Sequence, residues 1–275
     1  MKLAELLELA DHGPDTFIGG GPRYPWGGLY GGQIVAQALR AAAATVESRF
    51  DVHSLRAYFI RRGDHEEPVR YEVDRIRDGS SFCTRRVVAM QAVGAILNLE
   101  ASFQVPEGGI DRHPIGIPPG VSHPEQLENT SWSPLFERAF VPGEELAHTP
   151  RPGEGRVAAW LRTTEALGHD QLVHHCALAF LSDDLPTDAV VRAHPLGQES
   201  MEVLMSVMFS ASLDHTIWFH RPMRADQWHL HDFVCHSFTS GRGLSAGQIF
   251  DVEGRLVASV AQEVLLRDTR LRPQH

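Results

Sequence analysis

Asp183 closes an apolar run, QLVHHCALAFL, that passes directly into SDDLP. A carboxylate buried beside a helix end gains basicity, and a basic carboxylate can accept a proton from a bound water. The plainer role of the same residue is to terminate the helix, since SDDLP is also a good stop signal. Gln262 sits inside the apolar strand pattern LVASVAQEVLL. A primary amide in such a place needs hydrogen-bond partners, which favours a network or functional role over that of a surface glutamine.

Other chemistries find little support. The three cysteines, Cys83, Cys176 and Cys235, form no CxxC pair, which argues against a disulfide framework or a cysteine-rich zinc site and suits a reducing compartment. The 16 histidines include the dense set His174, His175, His215, His220, His229, His231 and His236, but none completes HExxH. His229 and His231 would share one strand face, a common arrangement, and no metal is expected. There is no GxSxG elbow, no GK[ST], and the run GGGPRYPWGGLYGG never satisfies GxGxxG, so its glycines read as a turn-rich approach to a helix. Arginines 61, 62, 75, 77, 85, 86, 221 and 242 could meet phosphates. Ordinary surface ion pairs are an equally good account of each.

These side chains need elements to hold them, and 275 residues, 43% hydrophobic and 22% charged, suffice for two modest domains. A net charge of -10 argues against sequence-independent nucleic-acid binding, which needs a basic surface. The N-terminal MKLAELLELADHG reads as a short amphipathic helix and not as a signal peptide. No apolar run is long enough to span a membrane. Nine prolines fall at 106, 114, 118, 119, 124, 134, 142, 150 and 152. That density blocks helices and central strands and marks 106–155 as a surface linker, with Trp132, Leu135, Phe136 and Phe140 packing its middle against a domain.

Before the linker, 31–46 (GGQIVAQALRAAAATV) is apolar on nearly every face and is read as a buried helix. Strands follow at 53–60, 69–76, 82–91 and 95–104. In the second, Val69, Tyr71 and Val73 alternate with Arg70, Glu72 and Asp74. One buried helix and a meander make an α+β unit with an antiparallel sheet wrapped around the helix. The second half repeats the plan, with a strand at 156–163, a helix at 171–181, and strands at 202–209, 211–219, 229–238, 245–251 and 255–266. FIRRGD at 59–64 echoes FHRPMR at 219–224, and ASFQ at 101–104 echoes ASVAQ at 258–262. The expected organisation is therefore an N-terminal unit 1–105, a linker 106–155 and a C-terminal unit 156–275.

GGQIVAQAL, YFIRRGD, RDGSSF, RRVVA and ASFQVPEGG in the first half, with LDHTIWFHRP, SGRG and LVASVAQEVLLR in the second, resemble the acyl-CoA thioesterase II family. The resemblance spans nearly the whole chain except the linker, and DHxxWFHRP together with ASxxQE is its most specific part. It implies a double hot-dog fold, acyl-CoA as substrate, hydrolysis without a cofactor, and a carboxylate, a hydroxyl and a glutamine holding the attacking water. Carried over by motif, these are Asp183 in LAFLSD, Ser212 two positions before DH, and Gln262 in ASxxQE. Some members carry threonine at the hydroxyl position; serine keeps the donor and acceptor. Asp184 follows directly and competes for the carboxylate role, with Asp183 favoured.

The acyl chain would then run into an apolar tunnel beside the helices, and backbone N–H groups near 31–33 would meet the oxyanion. Hot-dog sheet edges commonly pair, so a homo-oligomer, dimer or higher, is expected. LRPQH at the C-terminus lacks an SKL-type address, and the cytoplasm is the default. Two rival readings stand. One is a hot-dog hydratase or dehydratase on acyl-CoA, whose Asp/His pair could draw on His215 or His175. The other is a non-catalytic acyl-CoA-binding module.

Overall fold

Small and apolar residues dominate the GGQIVAQALRAAA stretch, and such a helix can be enclosed on all sides. In the computed structural model, which describes residues 1–146 and 154–271, it forms α2 (Gly31–Ala43), with every residue but Gly31, Arg40 and Ala43 buried. Residues 147–153 of the expected linker and 272–275 of the terminal LRPQH lie outside the described residues. The first unit is completed by α1 (Leu3–Leu6), β1 (Ala10–Asp11), β2 (Thr16–Gly19), β3 (Asp51–Phe59), β4 (Val69–Asp78), β5 (Phe82–Gln91) and β6 (Gly94–Gln104). Val69, Tyr71 and Val73 of β4 point inward, as their alternation predicts.

The proline-rich stretch contributes β7 (Phe136–Phe140) and α3 (Gly143–Leu146), and the second unit carries β8 (Arg156–Thr163), α4 (Gln171–Leu181), α5 (Pro186–Ala193), α6 (Met201–Val207), β9 (Met208–Ser212), β10 (Asp214–Phe219), β11 (His229–Thr239), β12 (Arg242–Asp251) and β13 (Leu256–Asp268). Its helix α4 has the predicted bounds. Asp170 caps it by accepting from the Leu172 N–H at 3.0 Å.

All strands join one antiparallel sheet of 13 strands, ordered β1-β2-β4-β5-β6-β3-β10-β13-β12-β11-β8-β7, with β9 also on β13. The seam is the β3–β10 ladder, in which Asp214 pairs with Tyr58 and Trp218 with Ser54. On either side of it β2-β4-β5-β6-β3 and β8-β11-β12-β13-β10 follow the same order with α2 and α4 at matching places, a double hot dog. The two helices pack against each other inside the curved sheet. At that crossing a Cβ on Gly32 would lie 2.3 Å from the Phe180 carbonyl oxygen, so only glycine lets the first turn of α2 approach the last turn of α4 so closely.

The echo between 59–64 and 219–224 is in register, for Phe59 ends β3 and Phe219 ends β10. That between ASFQ and ASVAQ is not. Phe59 pairs with Leu97 and Phe219 with Ala258, which makes Ala101, four residues beyond Leu97, the positional counterpart of Gln262, four beyond Ala258. The first unit therefore has no glutamine at the place where the second has one.

Three local expectations fail for identifiable reasons. The strand expected at 202–209 is mostly α6, because Ser200 caps a helix start, its side chain accepting from the Val203 N–H. Helix α5 was missed, although Pro186 at its first turn is a good start signal. Strand β7 arises within the proline-rich stretch because 136–140 is free of proline between Pro134 and Pro142, and it sits at the edge of the sheet on β8. Leu135 and Phe136 enter the main core, with Trp132 and Phe140 packed against it.

Candidate active site

The chain leaves α4 through Ser182, still in the helical region, and places Asp183 and Asp184 side by side with opposite fates. Asp184 is bound by Arg138, whose Nη1 donates to Oδ2 at 2.9 Å and to Oδ1 at 3.1 Å, and by Trp132 Nε1 at 2.6 Å. The pair is nearly enclosed, with side chains 12% and 2% exposed. Asp183 is also buried, at 7% exposed, but meets no cation among the described residues. The free carboxylate of the two is therefore Asp183.

Its partners come from both units. Ser212, the last residue of β9, donates from Oγ to Asp183 Oδ1 at 3.3 Å. Gln262 of β13 donates from Nε2 to Ser212 Oγ at 2.8 Å. Gln262 also hydrogen-bonds Asp183, as does the backbone N–H of Gly32 at the start of α2. A Cβ on Gly31 would lie 2.5 Å from Asp183 Oδ2, so the helix N-terminus sits directly on the carboxylate. The positive end of α2 thus faces a negative group supplied by the other half of the chain.

Burial pushes the Asp183 carboxyl up to about 7, the largest influence. The donors Gln262, Gly32 N–H and Ser212 pull it back, and the Asp184 charge pushes it further up. A carboxylate in that range is ionised near neutrality and still basic, the condition for a general base.

The sequence-selected residues Asp183, Ser212 and Gln262 are thus brought together. Sequence reasoning did not find Ser182, and it placed the N–H groups near 31–33 at the oxyanion, whereas that of Gly32 meets the Asp183 carboxylate. His215, a candidate for the histidine of a hydratase pair, proves fully buried, with Nδ1 against Gln262 Oε1 and Nε2 at 2.9 Å from Ser182 Oγ. The remainder of the DHxxWFHRP motif is spent on positioning. Asp214 accepts from the Glu263 N–H at 2.7 Å, Phe219 packs on the His175 ring at 4.9 Å, and His220 Nε2 meets Ser259 Oγ at 2.9 Å.

Several groups weighed from the sequence lie elsewhere. His229 and His231 share the inner face of β11 but are buried in the core, and burial pushes them down to about 4 and about 3. Among the described residues no group of three or more His, Cys, Asp or Glu could hold a metal ion. Arg85 is fully buried, holding Thr45 Oγ1 at 2.8 Å and Asp78 Oδ1 at 2.5 Å, so it is no phosphate ligand. Arg75, Arg86, Arg221 and Arg242 are paired with Asp15, Asp74, Asp111 and Glu263. A cleft of about 460 Å³ beside α2, lined by Leu9, Phe17 and Arg40, lies near the helix's C-terminal end. At a rise of ~1.5 Å per residue that is some way from Asp183 and is a separate space. No helix among the described residues is long and apolar enough to cross a membrane.

Comparison with known proteins agrees with this architecture. Residues 114–266 match the acyl-CoA thioesterase C-terminal domain family and residues 22–104 the acyl-CoA thioesterase N-terminal domain family. The chain is 34% identical over 259 residues to acyl-CoA thioesterase 2 of Haemophilus influenzae, covering 87% of each chain. A solved acyl-CoA thioesterase II, TesB2 from Mycobacterium marinum, superposes with a TM-score of 0.83 at 35% identity, covering 97% of this chain and 98% of that one. A hot-dog protein of unknown function from Alicyclobacillus acidocaldarius shares the fold, with a TM-score of 0.78 at 19% identity over 96% of this chain and 97% of its own. The chain belongs to the acyl-CoA thioesterase II family, a family of enzymes.

Proposed function

We propose that the protein hydrolyses acyl-CoA thioesters to a free carboxylic acid and coenzyme A, with the attacking water held by Asp183, Ser212 and Gln262. The observation that carries this reading is a buried, cation-free carboxylate near 7 hydrogen-bonded to a hydroxyl and an amide that lie 29 and 79 residues further along the chain. Asp183 takes a proton from water as the water oxygen bonds to the thioester carbonyl carbon. The carbonyl oxygen becomes an oxyanion, which the first-turn N–H groups of α2 would stabilise. Collapse re-forms the carbonyl and breaks the C–S bond, and the departing thiolate takes the proton that Asp183 holds, giving the thiol and restoring the carboxylate. Ser212 and Gln262 hold the water so that its lone pair faces the carbon, a gain of proximity and orientation.

The family membership supports acyl-CoA as substrate and a place in fatty-acid metabolism. The same reading keeps the division into units 1–105 and 156–275 joined by 106–155, a cytoplasmic enzyme, a homo-oligomer, and an acyl chain running beside α2 and α4. A hydratase needs a histidine working beside the carboxylate. His215 instead faces Gln262 and Ser182, and His175 packs on Phe219, which disfavours that alternative.

The test is release of coenzyme A thiol from acyl-CoAs of graded length by wild type and Asp183→Asn. Hydrolysis by the wild type with a loss of ~10²-fold or more in the variant, the scale of a general base, supports the reading. Acyl-CoA binding without thiol release at any length would make the protein a binding module. Equal rates in the two proteins would remove Asp183 from the chemistry.

A further inference from the structure

The hydrogen bonds around Asp183 do not stop at Gln262. Behind it lie His215 and Ser182, both fully buried, and the five side chains form one continuous series. We propose that His215 is a positioning residue that fixes the orientation of the Gln262 amide, and through it the hydroxyl of Ser212. This rests on the water-holding role given above to Asp183, Ser212 and Gln262.

The argument is one of counting protons. Each hydroxyl has one, a neutral imidazole has one, and an amide has donors on nitrogen only. The ring is neutral, because burial pushes His215 down to about 4. If Ser212 donates to Asp183, its oxygen can be approached only by a donor, so Gln262 must present Nε2 to it. Gln262 Oε1 then faces His215 Nδ1, and that contact is bonding only when the proton is on Nδ1. His215 Nε2 is left as an acceptor, and Ser182 Oγ–H, at 2.9 Å, supplies it.

Ser182 Oγ also lies 3.0 Å from the Ala179 carbonyl oxygen, which competes for the same proton. Were Ser182 to donate there, His215 would carry its proton on Nε2 and the Gln262 amide would turn over. Its Oε1 would then draw the Ser212 proton away from Asp183. Only the Nδ1–H form points every donor in the series toward the carboxylate.

The rest of the fold is arranged to hold His215 in this place. Its strand β10 is the seam between the two units, and His215 pairs with Ala57 of β3. The neighbouring Asp214 is tied to the backbone of β13 one residue beyond Gln262, at Glu263 N–H. The ring and the amide are thus fixed on adjacent strands.

The experiment compares wild type, His215→Phe, His215→Asn and Asp183→Asn, with imidazole nitrogen NMR on labelled wild type and on His215→Phe to assign the ring. Phenylalanine keeps the ring's bulk without either nitrogen, whereas an asparagine amide reaches about as far as Nδ1 and can donate to Gln262. The expected result is an Nδ1–H signal for His215 and a kcat lowered ~10–100-fold in His215→Phe with KM little changed, the scale of a misplaced reacting group. His215→Asn should recover most of that loss. An Nε2–H signal would overturn the proposal whatever the variants do. So would a His215→Phe protein that is folded and fully active while Asp183→Asn is dead. If Asp183→Asn were itself active, the water-holding reading would fall, while the NMR assignment would still decide the state of His215.

Discussion

Gly31 and Asp183 come from different halves of the chain, and a Cβ on the first would lie 2.5 Å from Oδ2 of the second. Gly31 is the first residue of α2 and its backbone is in the helix, so alanine there carries no conformational penalty. Gly31→Ala should therefore act chiefly on the carboxylate, displacing it or tilting the helix end away, with the Phe59 ring edge, 3.0 Å from the added Cβ, giving way by a few tenths of an ångström. The expected outcome is a ~10–100-fold fall in kcat/KM with the melting temperature changed by only a few degrees. Steady-state kinetics beside a thermal melt would check it, and an unimpaired Gly31→Ala enzyme would show that the contact does not matter to the chemistry.

The pH–rate profile should carry an acid limb set by Asp183. The carboxylate must be ionised to accept a proton, and its pKa stands at about 7. kcat/KM should fall roughly tenfold per unit well below that value and level off above it. A limb centred near the ordinary carboxylate value of 3.8 would contradict the burial argument.

The same shift has a consequence for stability. A folded-state pKa raised from 3.8 to about 7 means that the native state holds this proton more tightly than the unfolded chain. The group therefore costs stability progressively as pH rises through that interval and fully above it. Asp183→Asn should be inactive yet more stable than wild type at pH 8, by about 1–4 kcal/mol, with the difference vanishing near pH 4. Urea unfolding at the two pH values measures this directly.

Buried histidines work in the other direction. His175, His215 and His229 are pushed down to about 4 and His231 to about 3, against 6.5 unfolded. Their contribution is complete above 6.5 and is lost as pH falls below it, because the unfolded chain binds the protons first. Asp183, and Asp188 at about 6, oppose this by taking protons in the native state. Near pH 5 these six groups by themselves, four protons against two, leave a net of about two, a contribution of ~2–3 kcal/mol lost per pH unit. Both ring nitrogens of His231 are buried without a hydrogen-bond partner among the described residues, so His231→Leu should flatten this acid slope by about one proton. An unchanged slope would exclude His231 from the acid response.

The Asp184–Arg138 pair offers a fifth test. Arg138→Met would leave Asp184 buried at 2% exposure with only the Trp132 N–H for company. The expected cost is about 3–5 kcal/mol, the range for breaking a buried pair from one side. Arg138→Met combined with Asp184→Asn should regain much of it, since the asparagine oxygen still accepts from Trp132. A double-mutant cycle by chemical unfolding reads the coupling.

Periodicity and composition determined a good deal. The alternation of Val69, Tyr71 and Val73, the enclosed GGQIVAQALRAAA and the bounds of α4 are local properties of the chain, set by which faces must leave water, and they survive folding unchanged. Motif resemblance selected Asp183, Ser212 and Gln262. Where local signals compete, as at 202–209, a serine cap outweighed an apolar run that reads equally as strand. What only the tertiary structure decided is everything that depends on contacts between distant residues. Arg138 and Trp132, 46 and 52 residues before Asp184, remove it from contention. The seam between β3 and β10 and the bare glycines at the crossing of α2 and α4 carry the N-terminus of a first-unit helix onto a second-unit carboxylate. The raised pKa of Asp183 follows from that enclosure, because desolvation is a property of the packed site and of no segment by itself.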